Sequence, residues 1–557
     1  MISLAEVSID AMRSLMRLGR LWVSARLCGG WAGLSTLRLA SGCRQWHDHC
    51  IRPTQYFRTG TVPNTSTPWM HKLRDRYRLY EAQRAMDNAI NYDEWLEAAT
   101  DYEHFSGGHE WRETETSKDY DHQLVRERLD TIRRLRYQDR PDDLMYELRQ
   151  GLHWNLGNSG NPLLYGVSPL GTKYLIESYL DTVTEALDWI AEQPDSRIRK
   201  ATKRSFFSDL AQSYGRSALM LSGGATMGLF HVGIVRALYL HDLLPDIMSG
   251  SSAGSLVGAC VSARTREEAQ TLMDPDNLYL DLWGLLSPRD MRRTGGIMDQ
   301  NKLRRGLSEN LPDVTFEEAH ALSGISMNIT VSPVADNQPA RLLNHLTFPH
   351  LYMREAVLAS CAVPFLFPPV KLATRNLQGK REPYMSSLRW ADGSLQSDLP
   401  RMRLRRLFNV NHFIVSQTNP HVLPFLTQRE PDEAGLMHGA GRLALGAARH
   451  QAQLALKFTR NNLPHPLNRL RRHLDHASGI LDQDYRGNVT ILPSFDMNSY
   501  TRVIRNPRIQ DVRRMIIQGE RATWPKLAMI RHQTVISRTL ALCLDKIEKR
   551  RVKQHAA

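Results

Sequence analysis

From Pro68 to about Glu192, apolar residues return every three to four positions. The runs HKLRDRYRLYEAQRAMDNAI and YLIESYLDTVTEALDWIAEQ each gather them on one helical face, and the glycine-rich stretch NLGNSGNPLLYG lies between two such runs. This spacing predicts a mostly helical region. From Arg216 the pattern changes to short continuous apolar runs, SALMLS and DIMSG, separated by the helix-length segments LFHVGIVRALYLHDLL and AGSLVGACVSA. Later strand candidates are GISMNITVSPV, HFIVSQT and NVTILPS. Strands that alternate with helices predict a parallel or mixed sheet with helices packed on its faces. From Asp432 onward the chain returns to basic helices, and residues 51 to 67, with Pro53 and Pro63, read as a linker. No internal repeat interrupts this order.

Composition narrows the function. At 557 residues with 42% apolar content, the chain can bury a full core and belongs among globular proteins of two or more domains. Its six cysteines are scattered, with no CxxC and no His/Cys cluster at ligand spacing. Neither a disulfide framework nor a metal site is therefore expected, and a reducing, intracellular compartment fits best. The formal charge of +14 favours an anionic partner. No run of apolar residues is long enough to span a bilayer, so a peripheral protein is expected. Between Asp10 and Asp48 lie six arginines and no acid, with Met12, Leu15, Met16, Trp22 and Val23 near one helical face. That pattern fits a basic amphipathic membrane anchor, and equally a mitochondrial-type targeting segment or a basic tail.

Candidate chemistry centres on Gly250, Ser251, Ser252, Ala253 and Gly254, a G-x-S-x-G pentapeptide between a strand and a helix. Small residues permit the sharp turn that lifts a serine hydroxyl above a sheet edge and sets it at a helix N-terminus. A glycine loop, GGATMG from Gly223 to Gly228, follows the preceding strand and opens a helix 29 residues before Ser252. It lacks the GK[ST] ending of a P-loop and does not fit G-x-G-x-x-G, but its unpaired amides suit an oxyanion. A third element, RWADGSLQSDLP, sets Asp392 before Gly393 and Ser394, where a carboxylate could take a serine proton or orient a histidine that does so.

These three blocks, in this order, resemble the patatin-like lipases. The segment REAVLASCAVPFLFPPV resembles the helix and proline-rich turn that this family carries between serine and aspartate. Residues 153 to 181 resemble the helical domain preceding the catalytic region in the triacylglycerol lipases of fungi and plants. The resemblance implies an α/β, three-layer fold with a central, mostly parallel sheet and helical N- and C-terminal regions. It divides the chain into a basic segment and linker (1–67), a helical domain (68–210), a catalytic domain (211–425) and a basic helical region (426–557). It further implies a Ser-Asp dyad, with Ser252 as nucleophile, Asp392 as base and the amides of Gly223, Gly224 and Ala225 as oxyanion donors. Gly228, Gly250, Gly254 and Gly393 complete the motifs. No metal or organic cofactor is implied. Ala225 and Met227 depart from the family pattern, which has a third glycine and an arginine there, and this tilts the expected substrate from phospholipids toward neutral glycerides.

Rival readings remain open at this level. An α/β-hydrolase triad would join Ser252 and Asp392 to His412 or His421, although such enzymes place the oxyanion loop further upstream. His241 and Asp246 stand at the H-x4-D spacing of glycerolipid acyltransferases, a match expected about once by chance among 21 histidines. A non-catalytic lipid scaffold is the third. Between Glu433 and Asp475 the chain has seven cations and no acid, but only Phe458 for base stacking, so anionic lipid suits it better than nucleic acid. The expected partners are thus a glycerolipid ester and an anionic membrane or lipid-droplet surface; the sequence says nothing about oligomeric state.

Overall fold

A computed structural model describes residues 68–335, 338–394, 398–420, 422–423, 485–494 and 503–555. The basic stretches at 1–67 and 424–484, and with them His421, lie outside the described residues. Among the described residues seven helices come first: α1 (Pro68–Asn88), α2 (Tyr92–Ser106), α3 (Gly108–Glu113), α4 (His122–Tyr137), α5 (Pro141–Gly151), α6 (Tyr174–Glu192) and α7 (Lys200–Tyr214). Their starts follow from local chemistry. Asn91 and Asp121 accept the backbone N–H groups of Glu94 and Leu124 and so cap α2 and α4. The buried stripe of α4 is Val125, Leu129, Ile132 and Leu135, and it packs against α6, whose own buried face runs from Leu175 to Ala191.

The sheet follows. Its strands are β1 (Arg216–Leu221), β2 (Ile247–Gly250), β3 (Ser326–Pro333), β4 (Arg341–Leu343), the two-stranded pair β5 (Ala373–Arg375) and β6 (Arg381–Pro383), β7 (Trp390–Asp392), β8 (Val410–Ser416) and β9 (Val489–Ile491). The main sheet runs β4-β3-β2-β1-β8-β9, and β7 also pairs with β3. All neighbours are parallel except β4 and β7, which run antiparallel to β3. Helix α8 (Leu229–Leu240) joins β1 to β2. Helices α9 (Ala253–Ser262), α10 (Arg266–Leu272), α11 (Pro288–Thr294), α12 (Gln300–Asn310) and α13 (Phe316–Ser323) separate β2 from β3. Helix α14 (Met353–Ser360) precedes β5, and α15 (Arg401–Phe408) precedes β8.

Strand alternation divides the interior into two cores. On β1, Leu219 and Leu221 face the large core shared with the N-terminal helices, whereas Ala218 and Met220 face the smaller core closed by Leu404 and Phe408 of α15. The chain ends in α16 (Ile509–Thr523) and α17 (Leu527–His555). Helix α17 packs on α6 and α7, and α16 on α8, so among the described residues the N-terminal and C-terminal helices share a core within one unit. The expected three-layer α/β architecture is observed, with every strand candidate in place.

Four short strands, β4, β5, β6 and β7, were not expected. Three residues cannot display an alternating pattern, and Asp392, read as part of a turn, instead ends β7 opposite Val331. The H-x4-D pair holds no site. His241 caps the end of α8 with its ring 4.2 Å from that of Tyr92, and Asp246, exposed, reaches Arg216 at 3.7 Å.

The α8/α16 contact depends on glycine. A Cβ at Gly233 would lie 1.9 Å from the Ile516 carbonyl oxygen, and one at Gly519 would lie 2.2 Å from that of Phe230. Backbone cannot yield as a flexible side chain can. Gly233→Ala is therefore expected to destabilise the protein by about 1–3 kcal/mol or more, read as a lower Tm; an unchanged Tm would mean that the helices are not so closely apposed.

Candidate active site

The parallel strands β1, β2 and β8 end side by side, with Leu221 level with both Gly250 and Ser416. Beyond those ends lie the glycine loop and the serine turn. Ligand sites in open α/β sheets form at such carboxyl ends, because the loops there can converge without disturbing the ladder.

The turn after β2 is built by contact. A Cβ at Gly250 would sit 2.4 Å from the backbone of Gly254, and one at Gly254 would sit 2.2 Å from the Leu221 carbonyl oxygen. Gly228 and Gly393 are required in the same way, by Ala253 and by the Thr330 backbone. Between the first two, Ser252 adopts φ 50° and ψ −121°, a conformation costly for any L-residue and characteristic of a strained strand-to-helix turn. Its N–H donates to Ser360 Oγ at 2.9 Å, and that hydroxyl donates in turn to the Thr330 carbonyl at 2.9 Å. The fold thus holds the strain from α14 and β3.

The two adjacent serines have different fates. Ser251 is fully buried and donates to Asp398 Oδ1 at 2.7 Å. Ser252, 8% exposed, stands beside Asp392 and Cys361, and its hydroxyl helps to hold the acidity of both groups against burial. The Cys361 thiol is pushed up to about 12 by burial and by the Asp392 charge, so it stays protonated and unreactive.

Asp392 is buried, with its N–H on the Ala362 carbonyl at 3.0 Å and its Oδ1 accepting the Ser394 N–H at 2.7 Å. Its Oδ2 is buried without a fully formed hydrogen bond. Burial pushes its pKa up to about 7, against the opposing hydrogen bonds from Ser394 and Ser252; the nearby Asp398 charge adds to the rise. A carboxylate with a free lone pair, in a dry site beside a serine, is a base matched to neutral pH.

Asp398 carries no signal in QSDLP that sequence reading could use. Its Oδ1 accepts the Gly223 N–H at 3.0 Å as well as the Ser251 hydroxyl, and its Oδ2 accepts from Asn419 and Gln417. One buried carboxylate thereby ties the glycine loop to the serine turn and to the segment after β8. This revises one expectation: the Gly223 amide is already committed. Among the described residues, the N–H groups of Gly224 and Ala225 have no partner. Gly224 cannot carry a side chain, since its Cβ would meet Thr418 Oγ1 at 2.2 Å. Ala225 sits at φ 51°, in the left-handed region, at a cost of roughly 1–2 kcal/mol.

Neither of the buried histidines His412 and His231 is placed to complete a triad, and His421 lies outside the described residues. His412 lies near the opposite end of β8, paired with Ser217 and bound to Ser217 Oγ at 3.0 Å and Gln533 Oε1 at 2.8 Å, roughly 13 Å of strand away from Ser416. Its pKa is lowered to about 4 by burial. His231, fully buried beneath the glycine loop, bonds Ser416 Oγ at 2.6 Å and the Ser222 carbonyl at 2.9 Å and is likewise lowered to about 4 by burial. It supports the loop from below. Among the described residues no cluster of three His, Cys, Asp or Glu side chains could hold a metal.

Residues 219–404 match the family model described as patatin-like phospholipase, and residues 72–212 match a domain of unknown function, DUF3336. The chain is 31% identical over 485 residues to triacylglycerol lipase ptl3 of Schizosaccharomyces pombe, covering 84% of this chain and 98% of that one. It is 33% identical over 511 residues to triacylglycerol lipase SDP1L of Arabidopsis thaliana, covering 88% and 62%. To triacylglycerol lipase 4 of Saccharomyces cerevisiae it is 33% identical over 469 residues, covering 80% and 51%. It spans nearly all of the fission-yeast relative but only about half to six-tenths of the other two.

Asp398→Ala would orphan the Gly223 N–H and the Ser251 hydroxyl. A loss of about 1–3 kcal/mol per buried orphan group is expected, measured as a fall in apparent Tm that Asp398→Asn partly recovers. An unshifted Tm would show that the bridge contributes nothing.

Proposed function

The chain belongs to the patatin-like lipase family of carboxylic ester hydrolases, and from that premise we propose that it is a serine acylhydrolase that cleaves long-chain glycerolipid esters through a Ser252–Asp392 dyad. The observation that carries this reading is the placement of a buried carboxylate, raised to about 7, beside the strained serine. Asp392 takes the Ser252 proton as Oγ attacks the ester carbonyl carbon. The electrons of the carbonyl move to its oxygen, where the amides of Gly224 and Ala225 receive the negative charge; removing one such donor costs roughly 100- to 1,000-fold in hydrolases of this kind. Collapse expels the alcohol, which takes the proton from Asp392 and leaves an acyl-Ser252 ester. A water molecule, deprotonated by Asp392, then attacks the acyl carbon; the bond to Ser252 Oγ breaks, Oγ takes the proton back from Asp392, and the fatty acid leaves. In this reading the region 211–425 carries the chemistry, and the helical region 68–210 and the C-terminal helices frame it.

Triacylglycerol is the preferred substrate class in this proposal. Its supports are that the three relatives are named triacylglycerol lipases and that the glycine loop has no arginine, Met227 standing there. An arginine there would offer a phosphodiester a counter-charge. Among the described residues no helix is long and apolar enough to cross a membrane, and the proposed enzyme meets its substrate at a lipid surface.

Incubation with matched triacylglycerol, phospholipid and lysophospholipid should give the highest turnover on triacylglycerol. Ser252→Ala and Asp392→Asn should each lower kcat/KM at least about 1,000-fold without changing the circular dichroism spectrum. Retention of activity by either variant would remove the dyad, and turnover of phospholipid alone would remove the substrate preference. The pH profile has a definite sign. Asp392 must be ionised to act as base, and its pKa is raised, so kcat/KM on a dissolved neutral ester is expected to fall as pH drops through about 7. A profile flat down to pH 5 would contradict it.

A further inference from the structure

The loops around Ser252 turn large apolar side chains outward. After α14 the chain passes through Ala362, bonded to Asp392, and reaches Phe365, which is 65% exposed and held at φ 71°. An aromatic residue in the left-handed region is an outlier that its surroundings must enforce. Here they do. The Leu366 carbonyl accepts the N–H groups of both Ile297 at 3.0 Å and Met298 at 2.9 Å; Leu286 donates to the Ile297 carbonyl at 3.0 Å, and Leu285 bridges to Met298. Phe365, Ile297 (40% exposed) and Leu285 (74% exposed) therefore project from turns that are bonded to one another.

The segment 503–508 has the same character. Asn506 binds both the N–H and the carbonyl of Trp283, while Thr226, in the glycine loop, bonds the carbonyls of Val503 and Arg505. Between those two carbonyls Ile504 is 44% exposed. Exposed cations adjoin the apolar tips along the chain. Helix α11, which connects Leu285 to Ile297, exposes Arg289, Arg292 and Arg293, and Arg505 and Arg508 are exposed on the segment that carries Ile504. Arg293 pairs with Asp290, but among the described residues Arg289, Arg292, Arg505 and Arg508 have no carboxylate partner.

We propose that these loops, with Leu285, Ile297, Phe365 and Ile504 at their tips and Arg289, Arg292, Arg505 and Arg508 beside them along the chain, dock on an anionic phospholipid surface. The apolar tips enter the acyl boundary and the guanidinium groups meet headgroup phosphates and carboxylates. Charge complementarity selects this occupant, since free arginines would be a liability against a neutral apolar partner. The docking deepens the acylhydrolase reading and rests on it for its purpose: it delivers the ester from the surface to Ser252 without a journey through water.

The test uses the full chain and sedimentation with phosphatidylcholine vesicles, with and without phosphatidylserine. Wild type should bind the phosphatidylserine vesicles more tightly, and less so at high salt. Leu285→Ser with Phe365→Ser, and separately Arg289→Ser with Arg292→Ser, should each weaken that binding roughly tenfold or more. The ratio of activity on vesicle-borne ester to activity on dissolved ester should fall in parallel. The arginine pair, exposed on a surface helix, guards against misfolding as the cause. Equal binding by both variant pairs and wild type, as expected if another segment or a protein partner used this surface, would overturn the proposal. Vesicle binding that depends on these residues in a protein that hydrolyses no ester would uphold the docking and sink the acylhydrolase reading alone.

Discussion

The proposed Ser252–Asp392 dyad depends on keeping water from one carboxylate. In solution an aspartate is too weak a base to draw a proton from serine at neutral pH. Here Asp392 sits at the end of a three-residue strand, roofed by Ala362 and backed by β3, and burial raises it to about 7. The same burial would be ruinous if every lone pair were satisfied, because a fully bonded carboxylate would be acidic again. Its Oδ2 is left without a formed bond, and Ser252 stands next to it.

A second carboxylate supports the first without duplicating it. Asp398 spends both its oxygens on structure, holding the Gly223 amide and the Ser251 hydroxyl on one side and Asn419 and Gln417 on the other. It fixes the glycine loop relative to the serine turn, and its charge keeps Asp392 from becoming too acidic. Backbone strain falls at two neighbouring points, Ser252 and Ala225, both non-glycine residues at positive φ. Such strain persists only where the surroundings outweigh it, and the Ser360 and Thr330 bonds supply that restraint at Ser252.

Much of this was legible in the sequence, for a physical reason. Gly250, Gly254 and Gly393 are demanded by backbone contacts under 3 Å, so chemistry and sterics both write them into the chain at fixed spacing. The long strands announce themselves by apolar runs, as β1, β3 and β8 do. What escaped reading depends on residues far apart in the chain. Asp398 gains its role only when β1, the serine turn and the segment after β8 meet, and nothing in QSDLP foretells that meeting. Which glycine amide was already spent is a question of the same kind. His412 had the right chain order for a triad and the wrong end of the strand, a distinction that order alone does not carry.

The central claim is that a single buried aspartate titrates near neutrality beside the serine. Infrared difference spectroscopy of the carboxyl stretch, comparing the wild-type chain with Asp392→Asn across the pH range, measures this directly. One carboxyl should lose its proton at about pH 7 in the wild type and at a higher pH in Ser252→Ala, which lacks the hydroxyl that opposes the rise, and that signal should vanish in Asp392→Asn. A signal that persists in Asp392→Asn, or an Asp392 that titrates in the ordinary carboxylate range, would contradict the account.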